Sequence, residues 1–241
     1  MSQSLPPNKN QEAIVNNAVK SCKIYKLKSG TKELYLTQFY NEMGLINEIQ
    51  HDTDKQEYFY DEMNRLVKMV FIPFSNRAYA FETTYTYDSS GNKIYRTKLD
   101  TSDLIPRIDS SYYFYKNDLL VESYSISPNN DWYDFKTIYT YSADNSHRVD
   151  SVYRKGQLIR IEKYWFNDNG QEIQFEFDYL GAEQTFIGKH EFDENGNEIV
   201  YRVYYNGVES QKDNYYTYNF ESGLIEKVVN SEFTLVYEYE Y

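Results

Sequence analysis

Apolar and polar residues alternate singly through most of this chain, most sharply where Ile173, Phe175, Phe177 and Tyr179 take one parity and Gln174, Glu176 and Asp178 the other. Side chains along a strand leave on opposite faces, so a period of two predicts a strand with one sheltered and one wet face. Ile199, Tyr201, Val203 and Tyr205 repeat the pattern. Between such rows, an aromatic residue, a polar turn and then Leu, Ile or Val recur at Tyr40, Tyr60, Tyr87, Tyr115, Tyr141, Phe166, Phe192 and Tyr218, with spacings of 20, 27, 28, 26, 25, 26 and 26 residues. A period near 26 holds two strands, a tight turn and a return loop, so each unit predicts one hairpin.

The turns carry their own chemistry. Tyr87-Asp88-Ser89-Ser90-Gly91-Asn92-Lys93-Ile94, Phe166-Asn167-Asp168-Asn169-Gly170-Gln171-Glu172-Ile173 and Phe192-Asp193-Glu194-Asn195-Gly196-Asn197-Glu198-Ile199 are nearly one motif. Asp or Asn at the start caps the turn with its side chain, and Gly supplies the positive φ that closes a type I turn into a bulged hairpin. The Tyr115 unit has a shortened turn and the Tyr141 unit lacks glycine, so register is weaker there, while Tyr204-Tyr205-Asn206-Gly207 holds a two-residue turn signal. The fold class is therefore all-β: an antiparallel meander of about eight tyrosine-rich hairpin repeats, about sixteen strands, forming a curled sheet or an open barrel-like structure. Residues 1–22 read as an N-terminal tail or short helical cap, with Ala13, Ile14 and Ala18 on one side of a helix between Asn10 and Val19; residues 23–241 form a single β-repeat domain.

The Tyr87-Asp88-Ser89-Ser90-Gly91-Asn92-Lys93-Ile94 element, with weaker copies at Tyr60-Asp61-Glu62-Met63-Asn64-Arg65-Leu66 and Phe192-Asp193-Glu194-Asn195-Gly196-Asn197, resembles the YD repeat of Rhs-type and teneurin-like proteins over roughly residues 35–230. The resemblance implies strand-turn-strand units wound into a β shell and an exported, non-catalytic scaffold. It brings no catalytic or binding residue to any position of this sequence.

Composition sharpens the picture. Tyr (28) and Phe (14) far outnumber Trp (2), and tyrosine suits a half-buried pleated face because its ring packs while its hydroxyl stays in contact with water. With 25 basic and 37 acidic residues the net charge is −12, a field that repels phosphate backbones and excludes nucleic acid as an expected partner. Cys22 is the sole cysteine, so no intramolecular disulfide forms and cysteine usage says nothing of redox compartment; it is expected to be a buried or half-buried strand residue. Met1 to Asn8 shows no basic-then-apolar leader, so the chain is expected to be cytoplasmic, or exported to the periplasm or cell surface with its leader removed.

Candidate chemistry is sparse. His51, His147 and His190 lie in or near predicted turns without a nucleophile beside them and read as solvated side chains; the carboxylates alternate with aromatics as on a solvated sheet face. The acidic turn from Asp193 to Glu198 gathers oxygen ligands, yet equivalent turns at Asp88 and Asn167 carry different sets, so side-chain capping explains it better than Ca²⁺. No catalytic residue, metal or cofactor is assigned, and the chain is read as no enzyme. Trp132 and Tyr133, in a polar return loop, and Trp165, which alternates with Ile159, Ile161 and Lys163 and reads first as core, are the candidate partner contacts.

Two functions compete. One is a non-enzymatic exported or surface-associated protein that holds a protein or glycan; the other is a cytoplasmic acidic immunity protein that covers a basic toxin. Phe233, Leu235, Tyr237, Tyr239 and Tyr241 alternate to an aromatic end as in the last strand of an outer-membrane barrel, but charges on both strand faces, Arg96 and Lys98 against Lys93 or Arg160 and Glu162 against Lys163, and a mean hydropathy of −0.77 argue against a membrane-embedded barrel.

Overall fold

The computed structural model describes residues 9–28, 30–75, 80–101, 107–127, 134–181, 184–210, 213–219 and 221–241. One helix, α1 (Lys9–Asn16), precedes the strands β1 (Ser21–Lys28), β2 (Thr31–Tyr40), β3 (Ile46–Gln50), β4 (Asp54–Tyr60), β5 (Leu66–Pro73), β6 (Phe81–Tyr87), β7 (Lys93–Asp100), β8 (Arg107–Lys116), β9 (Leu119–Ile126) and β10 (Phe135–Tyr141). The run continues with β11 (His147–Arg154), β12 (Gln157–Phe166), β13 (Glu172–Tyr179), β14 (Gln184–Phe192), β15 (Glu198–Tyr205), β16 (Val208–Glu209), β17 (Asn214–Tyr218), β18 (Ile225–Val229) and β19 (Thr234–Glu240).

Each strand pairs antiparallel with its neighbour in sequence, except that β15 pairs both with the two-residue β16 and, past it, with β17. β1 pairs with β19 from Ser21↔Glu240 to Leu27↔Thr234. This pairing closes the sheet, so the nineteen strands less β16 make a barrel of eighteen staves. The meander is thus longer than sixteen strands and closed where the sequence left it curled or open. Eight motif turns do join sixteen strands; β1, β16 and β19 lie outside that pattern. Closure removes the free edges that an open sheet would present to other chains.

Five of the eight motif turns share one hydrogen-bond scheme. Asn41, Asp61, Asp88, Asn167 and Asp193 each accept on Oδ1 from the backbone N–H groups two and four residues on, at 2.8–3.0 Å. The fourth turn residue has positive φ: Gly44 (69°), Asn64 (60°), Gly91 (88°), Gly170 (74°) and Gly196 (76°). Where glycine is missing, Asn145 takes this conformation (φ 58°), and the shortened turn uses Asn117 (52°) and Asp118 (61°); Asn tolerates it better than most residues. The turn at Asn206 (48°) and Gly207 (78°) joins β15 to β16.

Three of the motif tyrosines, and Tyr239 of the last strand, fasten neighbouring hairpins together. Tyr60 Oη donates to the Ile46 carbonyl, Tyr87 Oη to Leu66 and Tyr218 Oη to Glu198, at 2.7–2.8 Å, and Tyr239 Oη donates to Ile225 at 2.9 Å. Each acceptor is the first strand residue after the preceding motif turn, so each hydroxyl ties a hairpin to the one before it.

Side chains of one parity converge across alternate strands. Phe175 on β13 and Tyr201 on β15 have ring centroids 6.4 Å apart, although strands two apart in a sheet are separated by about 9.5 Å. The Lys93 ammonium on β7 lies 5.6 Å from the Tyr85 ring on β6 and 4.6 Å from the Tyr113 ring on β8. This parity is therefore the concave, inner face, and it also holds the buried Cys22, Ile24, Thr83, Ser111, Asp150 and Val152. The barrel is hollow: the chain exposes 15302 Å², against about 11,000 Å² for a solid protein of its mass.

The motif turns all lie at one end of the barrel, and α1 packs there. Ala13, Ile14, Val19 and Leu224 form a buried apolar cluster with Tyr40 and Tyr239 against it. Gln11 Nε2 donates to the Met43 carbonyl and Asn17 Nδ2 to the Ser222 carbonyl. The helix is shorter than the Asn10–Val19 span suggested by its apolar spacing, and β1 starts two residues before Lys23, because Lys20 N–H already pairs with the Glu240 carbonyl.

Candidate functional site

The inner wall from β11 to β15 gathers side chains of one parity of the alternation. On β11, Arg148 grips Asp150 through two hydrogen bonds, Nε to Oδ1 at 2.7 Å and Nη2 to Oδ2 at 3.0 Å. Asp150 is 2% exposed. Burial, which outweighs the attraction of Arg148, pushes its carboxyl up to about 6, and the neighbouring Glu162 and Glu172 add to the rise. Across β12, Arg160 pairs with Glu162, and Tyr164 Oη donates to the other Glu162 oxygen at 2.7 Å. The Arg148 guanidinium lies 4.3 Å from the Tyr164 ring centroid and 5.7 Å from that of Tyr139, a cation–π arrangement that fixes the charge in place.

Aromatic rings adjoin these charges. Phe175 stands 5.0 Å from Phe177 and 5.5 Å from Phe186, Phe186 is 5.1 Å from Tyr205, and Tyr201 stacks on the His190 ring at 4.8 Å. Gly188 makes room for the Phe175 ring: a Cβ there would lie 2.2 Å from it. At the end of the barrel opposite α1, Phe177, Tyr179, Gln184, Phe186, Tyr205 and Asn206 line a pocket of about 580 Å³, and Arg160 Nη1 donates to Tyr179 Oη at its rim, at 3.3 Å.

His190 departs from its expected solvated place. It sits on β14 facing inward, with Nδ1 2.5 Å from Glu198 and Nε2 3.7 Å from Glu172. The β-bulge beside Phe192 brings Glu198 round to the inner side. Asp150 and Glu162 likewise belong to the inner wall and not to a solvated face. The bulge at Thr86/Tyr87 has the same effect on Lys93, so Lys93, Arg96 and Lys98 share the inner face instead of opposing one another.

Trp165 lies on the convex side, half-buried, opposite His147 on β11 and Gln174 on β13. The structure does not bring it to the aromatic pocket. Trp132 and Tyr133 lie outside the described residues. The base of their loop is described: Asp134 Oδ1 accepts from the Ser127 N–H at 2.8 Å, beside a pocket of about 570 Å³ lined by Tyr124, Ile126, Phe135, Lys136, Ile138 and Tyr153. In the Asp193 turn, Oδ1 caps two N–H groups and Oδ2 accepts from Asn197 Nδ2 at 3.0 Å, so both carboxylate oxygens serve the turn.

No protein-family model and no curated protein matches this sequence. Among solved structures the chain is similar to a porin-like protein from Bacteroides uniformis, with a TM-score of 0.49 and 11% identity over 92% of this chain and 96% of that one. A porin-like protein from Bacteroides vulgatus follows at 0.45 and 10%, over 92% and 99%. A chain of the Photorhabdus luminescens Tc holotoxin pore gives a TM-score of 0.28 and 14% identity; the match covers 86% of this chain and 15% of the toxin chain. These are likenesses of chain path, and no function is transferred from them.

Proposed function

We propose that this protein is a non-enzymatic, water-soluble hollow barrel that binds a glycan on the inner wall of β12–β15. The observation that carries the reading is the group of rings Phe175, Phe177, Phe186 and Tyr205 set beside Arg160, whose charge is already fixed by Glu162. Sugar rings stack their C–H faces on aromatic side chains and take hydrogen bonds from planar polar groups held in place. Held charges support a recognition role: Arg148 is committed to Asp150, and the Tyr164 hydroxyl to Glu162.

Water solubility is supported by the convex face, which carries ion pairs along its strands, with Lys163 and Arg202 well inside β12 and β15. Lys55 pairs with Glu57 at 2.6 Å, Lys136 with Glu122 at 2.8 Å, Lys163 with Glu176 at 3.0 Å, and Arg202 with Glu191. A lipid-facing Lys or Arg at mid-bilayer costs about 2–4 kcal/mol, so the mid-strand Lys163 and Arg202 suit water. Export to the periplasm or cell surface is part of the proposal and rests on the turn motifs that resemble YD repeats.

The test is isothermal titration of the full chain, purified without detergent, against oligosaccharides, with Phe186→Ala as the comparison. Binding that weakens about tenfold in Phe186→Ala supports the reading; absence of binding to every oligosaccharide, or aggregation of the chain without detergent, overturns it.

A protein partner has an observation of its own. On the convex side of β8 and β9, Ile108, Tyr112, Phe114 and Ile126 are exposed together, an apolar patch of the kind that marks interfaces. The cytoplasmic immunity role would use this patch, and retention of a basic toxin that Tyr112→Asp abolishes would favour it.

A further inference from the structure

The glycan reading leaves unused a second stretch of the inner wall, on β6–β8. There Lys93, Arg96 and Lys98 project inward from one strand. Arg96 pairs in register with Tyr85 and Ser111, and Lys98 with Thr83 and Asp109. The Lys93 ammonium lies over Tyr85 and Tyr113, and the Lys98 ammonium lies 4.1 Å from the Phe81 ring centroid. Among the described residues none of the three makes an ion pair, and the Arg96 Nε is buried without a hydrogen-bond partner. The nearest carboxylates are shared with a fourth cation: Arg107 stands between Asp100 at 3.5 Å and Asp109 at 3.6 Å, and the Asp109 Oδ1 makes no hydrogen bond.

Four cations against two carboxylates leave this wall with a surplus of two positive charges, in a chain whose net charge is −12. Most cations of the convex face have carboxylate partners, as Lys55, Lys68, Lys136, Lys163 and Arg202 do. A surplus of cations inside a hollow barrel, with Lys93 and Lys98 held over aromatic rings and too few acids to neutralise the group, is an anion site: the sheltered surroundings strengthen its attraction for a carboxylate or sulfate. The strand rise spaces Arg96 and Lys98 by about 7 Å and Lys93 from Arg96 by about 10 Å. That spacing suits anionic groups repeated along a chain better than a single small ion.

We infer that the glycan bound in this barrel is acidic, and that Lys93, Arg96 and Lys98 receive its uronate carboxylates or sulfate esters. The inference rests on the glycan reading and narrows it to one ligand class.

The experiment is isothermal titration of the full chain at low salt with four probes: an oligogalacturonate, a heparin-derived sulfated oligosaccharide, a neutral cello-oligosaccharide and poly-L-glutamate. The expected result is that at least one acidic oligosaccharide binds more tightly than the neutral one, with affinity falling as salt is raised. Arg96→Gln/Lys98→Gln should weaken acidic binding by about tenfold or more while leaving neutral binding unchanged. Lys93→Gln, close to a turn, gives a second reading if the double variant unfolds. Preference for uronate over sulfate, or the reverse, identifies the anion. Neutral binding that is lost in Phe186→Ala without any acidic preference would overturn this inference and leave the glycan reading standing. Acidic binding indifferent to all three cations would also overturn it, as would poly-L-glutamate binding as tightly as the acidic sugars. No binding to any sugar would remove both readings.

Discussion

The Tyr60 hydroxyl donates to the backbone carbonyl of Ile46 at 2.7 Å, across the gap between one hairpin and the next. The bond is repeated by Tyr87 to Leu66 and Tyr218 to Glu198, which gives the recurring tyrosine a reason beyond ring packing. Burial pushes the Tyr60 phenol up to about 12, so it stays a donor throughout the physiological range. Tyr60→Phe keeps the ring and leaves a sheltered carbonyl without its donor, a loss of about 1 kcal/mol and a fall in Tm of about 2–4 °C. Tyr58→Phe, whose hydroxyl donates to Gln56 within its own strand, should shift Tm less. Equal shifts in thermal unfolding would mean that the inter-hairpin bond has no special part in stability.

How much of this was legible follows from which interactions are local. The motif turns could be read because the capping Asp or Asn and the positive-φ residue lie within five positions of each other. Closure could not: β1 and β19 join Cys22 to Tyr239, and nothing local in Phe233–Tyr241 names its partner. A wide sheet must bury an aromatic face, which puts the alternating Tyr, Phe and Ile rows on the concave side, and Phe175 and Phe186 do line it; which rows gather into one site depends on strand neighbours that the alternation does not name. Bulges moved Lys93 and Glu198 to the inner face against a simple count of two, and His190, near a turn in sequence, came to lie among rings and acids.

Gly188 and Phe175 make a second test. A Cβ at position 188 would lie 2.2 Å from Cε1 of the Phe175 ring and 2.3 Å from Cζ, so Gly188→Ala must push that ring into the lumen. Overpacking of this kind costs about 1–3 kcal/mol in a filled core; the hollow interior puts the value at the lower end. The displaced ring leaves its partners Phe177 and Phe186, so glycan binding should fall more than stability does. Gly188→Ala/Phe175→Ala should recover part of the stability, and a double-mutant cycle showing no coupling between the two sites would rule this contact out as the reason for the glycine.

Asp150 ties stability to pH. In the folded chain it keeps its proton up to about pH 6, whereas in the unfolded chain it loses it near about pH 4. Between those values the folded state binds more protons, so this group makes stability fall as pH rises through the window. The full effect is about 2–3 kcal/mol by pH 7. Asp150→Asn removes the titration. Subtracting its urea-unfolding free energies from those of the parent chain, at steps from pH 4 to 7, should give a difference that moves against the parent as pH rises; a flat difference would mean that Asp150 stays ionised throughout.

The helix at the motif-turn end is held by few contacts, and they can be broken separately from the barrel. Ile14 is 2% exposed and Leu224 1%, and both belong to the small cluster that seats α1. At Gly44 a Cβ would lie 2.6 Å from Val15 Cγ2, so the β2–β3 turn accepts the helix closely. A helix of eight residues has little stability of its own in water; it forms because this cluster covers its apolar side. Ile14→Asp buries a charge there and should unseat the helix, opening the chain before Lys20 to limited proteolysis. The β1–β19 ladder does not pass through the helix, so the sheet should remain closed, with an unchanged β signal in far-UV circular dichroism and a small fall in Tm. Loss of that signal together with the helix would show instead that α1 is needed to hold the first and last strands together.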